Sequence, residues 1–132
     1  MKIVALISRI LLGLLFVVFG ANMFLHFIPM EGPPAGTPAA QFMGVMFPSG
    51  WLKFQSILQI LGGLLVLFGG TAPLGLVVLG PIIVNILLFH ILLASGQGIA
   101  PGLIAALLEI ILIYAYRANF AGIFTYKAKP TA

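Results

Sequence analysis

The stretch Gly102-Leu-Ile-Ala-Ala-Leu-Leu-Glu109-Ile-Ile-Leu-Ile-Tyr114 is apolar over a helix length and is broken near its middle by a single carboxylic acid. A run of this kind belongs inside a membrane or a deep core. An acidic side chain at the centre of a membrane helix costs about 3 kcal/mol or more unless something receives it. The stretch therefore points to a helix buried in an apolar medium, and Glu109 marks a candidate site.

The sequence on either side has the same character. Of 132 residues, 62% are hydrophobic and 6% are charged, and the mean hydropathy of +1.26 is more than a soluble domain of this length can hide from water. Four apolar segments read as long enough to span a ~30 Å hydrocarbon layer, which takes roughly 20 helical residues. They cover residues 3–25, 51–68, 73–94 and 101–117. The expected fold is an all-α membrane protein: an antiparallel bundle of four transmembrane helices forming one domain over residues 1–132. The first segment follows Lys2 and Arg9 as a secretory signal would, but it runs on through Phe24 and Leu25 with no small-x-small cleavage site, so it reads as a retained helix. With no cysteine, disulfides, thiolate metal sites and dithiol exchange are excluded.

Turn chemistry separates the segments. Gly69-Gly70 closes the second and Thr71-Ala72-Pro73 opens the third, while Ser95-Gly96-Gln97-Gly98 followed by Pro101 does the same before the fourth. The connection over residues 28–50 is longer and carries Pro29, Pro33, Pro34, Pro38 and Pro48. Within it, Thr37-Pro38 has the composition of a helix cap, which predicts a short interfacial helix through Phe47 lying flat over one end of the bundle.

Charge sets the orientation. Lys2, Arg9, Arg117, Lys127 and Lys129 fall on the side of the termini and Lys53 alone falls on the other, so Met1 and Ala132 are expected in the cytoplasm of a bacterial inner membrane, with the proline-rich loop outside. Trp51, Tyr114, Tyr116 and Tyr126 suit the two aromatic belts. The net charge of +4 comes with no basic cluster interleaved with aromatics, which argues against nucleic acid as a partner. Gly13 and Gly20, and Ser56, Gly63 and Gly70, recur seven residues apart, a spacing that keeps small residues on one face for close helix approach. Pro81 interrupts the third segment and removes the helical donor to the Val77 carbonyl, so a kink or a neighbouring donor is expected there.

Depth groups the polar residues. At 1.5 Å per residue, Gln59 lies ~12 Å from Trp51, Glu109 ~12 Å from Pro101 and Asn85 ~13 Å from Ala94. Gln59, Asn85 and Glu109 are thus expected on one buried level, with Gln55 beside Gln59 at i, i+4. Gly102, Ala105 and Ala106 on the Glu109 face leave room for another helix. That level either binds a proton, a cation or a polar ligand head, or forms a clasp in which protonated Glu109 donates to Asn85 or Gln59. Asn22, His26 and His90 are polar candidates at the outer boundary. A bis-histidine haem or a metal would need the two rings face to face at matched depth, whereas boundary histidines bonded to loop carbonyls or lipid need no ligand. Arg9 either snorkels to the inner surface or serves as a charge partner for Glu109. No nucleophilic triad and no phosphate-binding glycine loop appear, so no catalytic residue is assigned and an enzyme is the less favoured class. No metal or cofactor is read from the residues themselves.

Arg9-Ile-Leu-Leu-Gly13 with Phe19-Gly20, Leu58-Gln59-Ile60-Leu61-Gly62-Gly63-Leu64-Leu65 and the histidine-bearing third segment together resemble the DoxX family of small four-helix bacterial membrane proteins. The likeness extends over nearly the whole chain, and the family often carries a glutamate where this chain has Gln59. The resemblance implies an association with quinone-linked redox enzymes. Two functions follow as expectations. One is a non-catalytic accessory subunit of a membrane redox or energy-transducing assembly, with other membrane subunits or further copies of the chain as partners. The other is a stand-alone binder or carrier of a quinone-like lipophile or a proton through Gln59, Asn85 and Glu109.

Overall fold

The computed structural model describes residues 1–131, and Ala132 lies outside them. Among the described residues six α-helices follow one another: α1 Lys2–Leu25, α2 Pro38–Met46, α3 Trp51–Leu67, α4 Ala72–Leu88, α5 Ala100–Ala115 and α6 Arg117–Phe120. Among the described residues there is no strand. Short 3-10 turns at Gly69–Thr71 and Ala121–Phe124 flank α4 and close the chain's last bend, and Phe89–Leu93 extends α4 as a π-helix.

The helix ends follow from local chemistry. Proline occupies the first turn of α2, α4 and α5, where its missing N–H has no helical acceptor to serve. Thr37 caps α2, its hydroxyl accepting from the Ala40 N–H at 3.2 Å, and the helix stops one residue before the expected Phe47. His26 ends α1 in the left-handed region at φ 53°, with its N–H bonded to the Asn22 carbonyl. Between α3 and α4 the Thr71 hydroxyl donates to the carbonyls of Leu65 (2.8 Å) and Phe68 (3.0 Å), which covers part of the carbonyl end of α3.

Two of the expected spans differ in detail. Residues 73–94 are not uniformly α-helical, because the ladder widens over Phe89–Leu93, where the Ala94 N–H reaches back five residues to the Phe89 carbonyl at 3.1 Å. The helix nevertheless continues through Pro81. Residues 101–117 do not form one straight helix. Helix α5 ends at Ala115 because Arg117 folds back, donating to the Tyr114 carbonyl at 2.9 Å with its guanidinium 4.3 Å over the Tyr114 ring.

The helical stretches Lys2–Leu25 and Gly69–Leu93 are each long and apolar enough to cross a membrane. The number rises to four if Pro38–Met46 with Trp51–Leu67, bent by 83°, and Ala100–Ala115 with Arg117–Phe124, bent by 82°, each count as one span. By rise per residue α3 and α5 alone extend ~25 Å and ~24 Å. That is short of the ~30 Å layer, which is why they reach the length only with their bent neighbours.

Packing joins α1 to α3 and α5, and α4 to α3 and α5, so these four helices close a ring. Small residues set the approaches. A Cβ on Gly63 would meet the Gly13 carbonyl oxygen at 2.8 Å, and one on Gly20 would meet the Ser56 carbonyl oxygen at 3.0 Å. The expected α1–α3 stripe therefore holds at Gly13, Gly20, Ser56 and Gly63. It does not extend to Gly70, which is exposed beyond the end of α3 with nothing within 4 Å of a built Cβ. A second approach joins α3 to α4, where a Cβ on Gly75 would meet the Gly62 carbonyl oxygen at 2.8 Å. Consecutive Gly62 and Gly63 thus make α3 the corner between two neighbours. Leu12, Phe16, Val66, Leu76, Leu79 and Leu112 fill the interior. Leucine, isoleucine and valine also dominate the outward faces, as in Ile3, Leu25, Leu74 and Ile110. An apolar surface this extensive needs an apolar surrounding.

Candidate functional site

Helices α4 and α5 approach closely at two heights. A Cβ on Gly102 would lie 3.2 Å from Ile86 Cγ2, and one on Gly80 would lie 3.5 Å from Glu109 Oε1. The small face formed by Gly102 and Ala105 is buried as expected, and the helix received there is α4. Glu109 is consequently 5% exposed and directed at the backbone of Gly80. Among the described residues, neither of its carboxylate oxygens has a hydrogen-bond partner. A buried polar group in that condition is uncommon and requires a reason.

The surroundings supply one. Glu109 lines a groove of about 210 Å³ whose α4 wall comprises Leu76, Val77, Gly80 and Pro81. Pro81 has no N–H to return to the Val77 carbonyl, so the wall facing Glu109 contains a backbone acceptor without its helical donor. Phe120, Ile123 and Phe124 close one end after the chain's 82° bend. Glu109 is the only lining residue with a polar side chain. Glu109 and Val77 thus border one cleft whose lining is otherwise apolar, with the carboxyl just beneath its surface.

The other expected members of the level do not join it. Gln59 and Gln55 are half-buried on α3, and Gln59 faces α1, its Cβ 3.3 Å from where a Cβ on Gly20 would stand. Asn85 is exposed on the outer side of α4. Five residues separate Asn85 from Gly80, a rotation of ~140°, which carries its amide away from α5. The clasp with Asn85 or Gln59 is therefore absent. Arg9 is not a partner for Glu109 either: its guanidinium lies against Gly69, in the turn between α3 and α4.

At the other end of the molecule the polar residues are already engaged. Asn22 is buried at 7% exposure, its Nδ2 donating to the Ile28 carbonyl (3.1 Å) and its Oδ1 accepting from the Ile28 N–H (2.8 Å), so it anchors the chain as it leaves α1. His90 Nδ1 pairs with the Gln97 carbonyl at 2.8 Å, and the ring stands edge-on to Phe89 with centroids 5.1 Å apart. His26 is the exposed left-handed cap of α1. Gly80 and the C-terminal aromatics did not figure in the sequence reading of the site. The adjacent Gly80-Pro81 pair is the signal for them, since glycine admits a close side chain at the position where proline frees a carbonyl.

No protein-family model matches the chain, and neither a curated protein nor a solved structure is significantly similar to it.

Proposed function

We propose that this chain is a four-span bacterial inner-membrane protein, with both termini cytoplasmic, that binds a quinone-like lipophile by its polar head in the Glu109 groove. The observation that carries the reading is the buried, unpaired carboxyl of Glu109 in an otherwise apolar cleft. At about 210 Å³ the cleft is smaller than the ~300–1,000 Å³ of sites that enclose a drug-sized molecule, so it accommodates a head group whose tail lies along the outer helix faces. The carboxyl accepts a hydrogen bond from a quinol hydroxyl and, when protonated, donates one to a quinone carbonyl. The Val77 carbonyl adds an acceptor only. The resemblance to the DoxX family is the reason for choosing quinones among such lipophiles. The four spans are supported by the closed ring of α1, α3, α4 and α5, and the orientation by the excess of lysine and arginine near the termini.

Thermal unfolding of the detergent-solubilised protein with a short-chain benzoquinol, and separately with its benzoquinone, tests this. A rise in Tm for the parent, absent in Gly80→Leu, whose side chain fills the cleft, is the expected result. No rise in the parent, or the same rise in Gly80→Leu, refutes it.

A second reading, an accessory subunit of a membrane redox or energy-transducing assembly, is favoured by Asn85. Its amide sits on an outward apolar stripe between Val84 and Leu88, where lipid offers no hydrogen bond and a partner helix would. Mild extraction should then yield a particle larger than the 14.0 kDa chain in its detergent belt. Asn85→Leu should dissociate that particle, and a strictly monomeric parent rules this reading out.

A further inference from the structure

We propose that the cleft between the first turns of α1 and the last turn of α5 is a site for the phosphate head of an anionic phospholipid, with Arg9 and Lys2 as its cationic ligands. It is a different site from the Glu109 groove, shares no residue with it, and rests only on the membrane-spanning character of α1.

The cleft has a volume of about 470 Å³ and is lined by Lys2, Ala5, Leu6 and Arg9 from α1 and by Ala115 and Tyr116 from the end of α5. Positions 2, 5, 6 and 9 fall on one face of a helix, so the two cations project along the same wall. They stand ~10 Å apart along the axis, within reach of a single head group for side chains of this length. Small residues, Ala5 and Ala115, keep the floor open between them.

Among the described residues no acid supplies a counter-charge here. The two acidic side chains are Glu31, in the exposed proline-rich connection beyond the other end of α1, and Glu109, which faces α4. Neither lines the cleft. Arg117, the nearest cation at the end of α5, is committed to the Tyr114 carbonyl and ring. Arg9, by contrast, is half-buried two turns into α1, with its guanidinium held against Gly69 at the carbonyl end of α3. A guanidinium carries five N–H donors in a fixed fork that matches phosphate oxygens. Basic clefts between membrane helices at the headgroup level bind anionic lipid heads for this reason.

The rim identifies a lipid in preference to a soluble phosphate. Leu6 in the cleft wall and Ile10 one turn further along α1 are outward-facing, and they offer an acyl chain an apolar path from the head toward the membrane interior.

Retention of phosphatidylglycerol and of phosphatidylcholine with the same acyl chains, measured by native mass spectrometry of the full chain released from mixed micelles, tests the proposal. The parent should retain phosphatidylglycerol preferentially. A contribution of about five-fold per cation near the surface predicts a loss of about five-fold in Lys2→Gln and about thirty-fold in the Lys2→Gln, Arg9→Gln double variant. Lys53→Gln, at the opposite end, should retain the lipid as the parent does. Lys2 is exposed, so its single variant remains informative if loss of Arg9 prevents folding. Equal retention of the two lipids, unchanged retention in Lys2→Gln, or an equal loss in Lys53→Gln overturns the proposal. Displacement of phosphatidylglycerol by millimolar inorganic phosphate would make the site one for a soluble anion and would equally overturn the lipid assignment.

Discussion

Two glycine-to-alanine substitutions should have opposite signs. At Gly63 an added Cβ would meet the Gly13 carbonyl oxygen at 2.8 Å, Val17 Cγ2 at 2.9 Å and the Val17 nitrogen at 3.1 Å. Two of these three atoms belong to the α1 backbone and cannot rotate away, so α1 and α3 must move apart along their shared face. Overpacking of this kind costs about 1–3 kcal/mol, and the better helix propensity of alanine returns up to about 1 kcal/mol. Gly63→Ala should therefore be destabilised by up to about 3 kcal/mol. At Gly80 the only atom within 4 Å of the new Cβ is Glu109 Oε1 at 3.5 Å, an ordinary contact. Gly80→Ala keeps the propensity gain without the clash and should be more stable than the parent by up to about 1 kcal/mol. Reversible unfolding in mixed micelles titrated with sodium dodecyl sulfate and followed by circular dichroism reads both values. If Gly63→Ala equals or exceeds Gly80→Ala in stability, the helix register described for α1 and α3 is wrong.

The unpaired state of Glu109 predicts that Glu109→Leu raises thermal stability in detergent, by about 1–3 kcal/mol from removing an unsatisfied buried group, while abolishing benzoquinol binding. Marked destabilisation of Glu109→Leu would reveal a partner for the carboxyl. Asn22→Ala strips both bonds from Ile28 and should lower stability by about 1–3 kcal/mol, so an unchanged Tm would show that the turn after α1 is held by something else. In this cysteine-free chain, an impermeant thiol reagent on intact cells should label Gly36→Cys and reach Thr131→Cys only after permeabilisation, and the reverse pattern would invert the assigned topology.

Where the backbone obeys local chemistry, the elements are legible in the residues. Thr37-Pro38, Thr71-Ala72-Pro73 and Pro101 each start a helix within a residue or so of the expected position, because caps and first-turn prolines act on the next turn alone. The stripe of Gly13, Gly20, Ser56 and Gly63 is legible for a related reason: a repeat of seven residues fixes a face as well as a height. The polar level failed because height is only one of the two coordinates on a helix. Gln59, Asn85 and Glu109 were aligned by distance from the helix ends, without the rotation that turns Asn85 outward and sets Gln59 beside Gly20 and Ser56 on the α1 side. Hydropathy carries the fourth segment through Arg117, two residues past the end of α5, because it does not register that Arg117 folds back onto Tyr114.

Satisfied and unsatisfied polar groups divide between regions of the molecule, and the division bears on what the protein does. In the loops and caps around α2 and at the far end of α4, polar side chains find acceptors or donors within a few residues: Asn22 with Ile28, Thr37 with Ala40 and His90 with Gln97. These contacts stabilise a cap and ask for nothing further. Toward the end where α1 begins and α5 finishes, the accounting is different. Glu109 is buried without a partner in a groove that Val77 and Pro81 also line, and Arg9 and Lys2 share a cleft that no acidic side chain of the described residues lines. A pair formed between Glu109 and Arg9 would have satisfied both groups at once. The fold instead sets Glu109 against α4 and Arg9 against the α3–α4 turn. A buried carboxyl and a guanidinium kept apart within a small apolar protein are each costly alone, and their separation is sustainable if each meets a group from outside the chain. A hydrogen-bonding lipophile for the carboxyl and an anionic head for the guanidinium are the complementary chemistries that the membrane itself supplies.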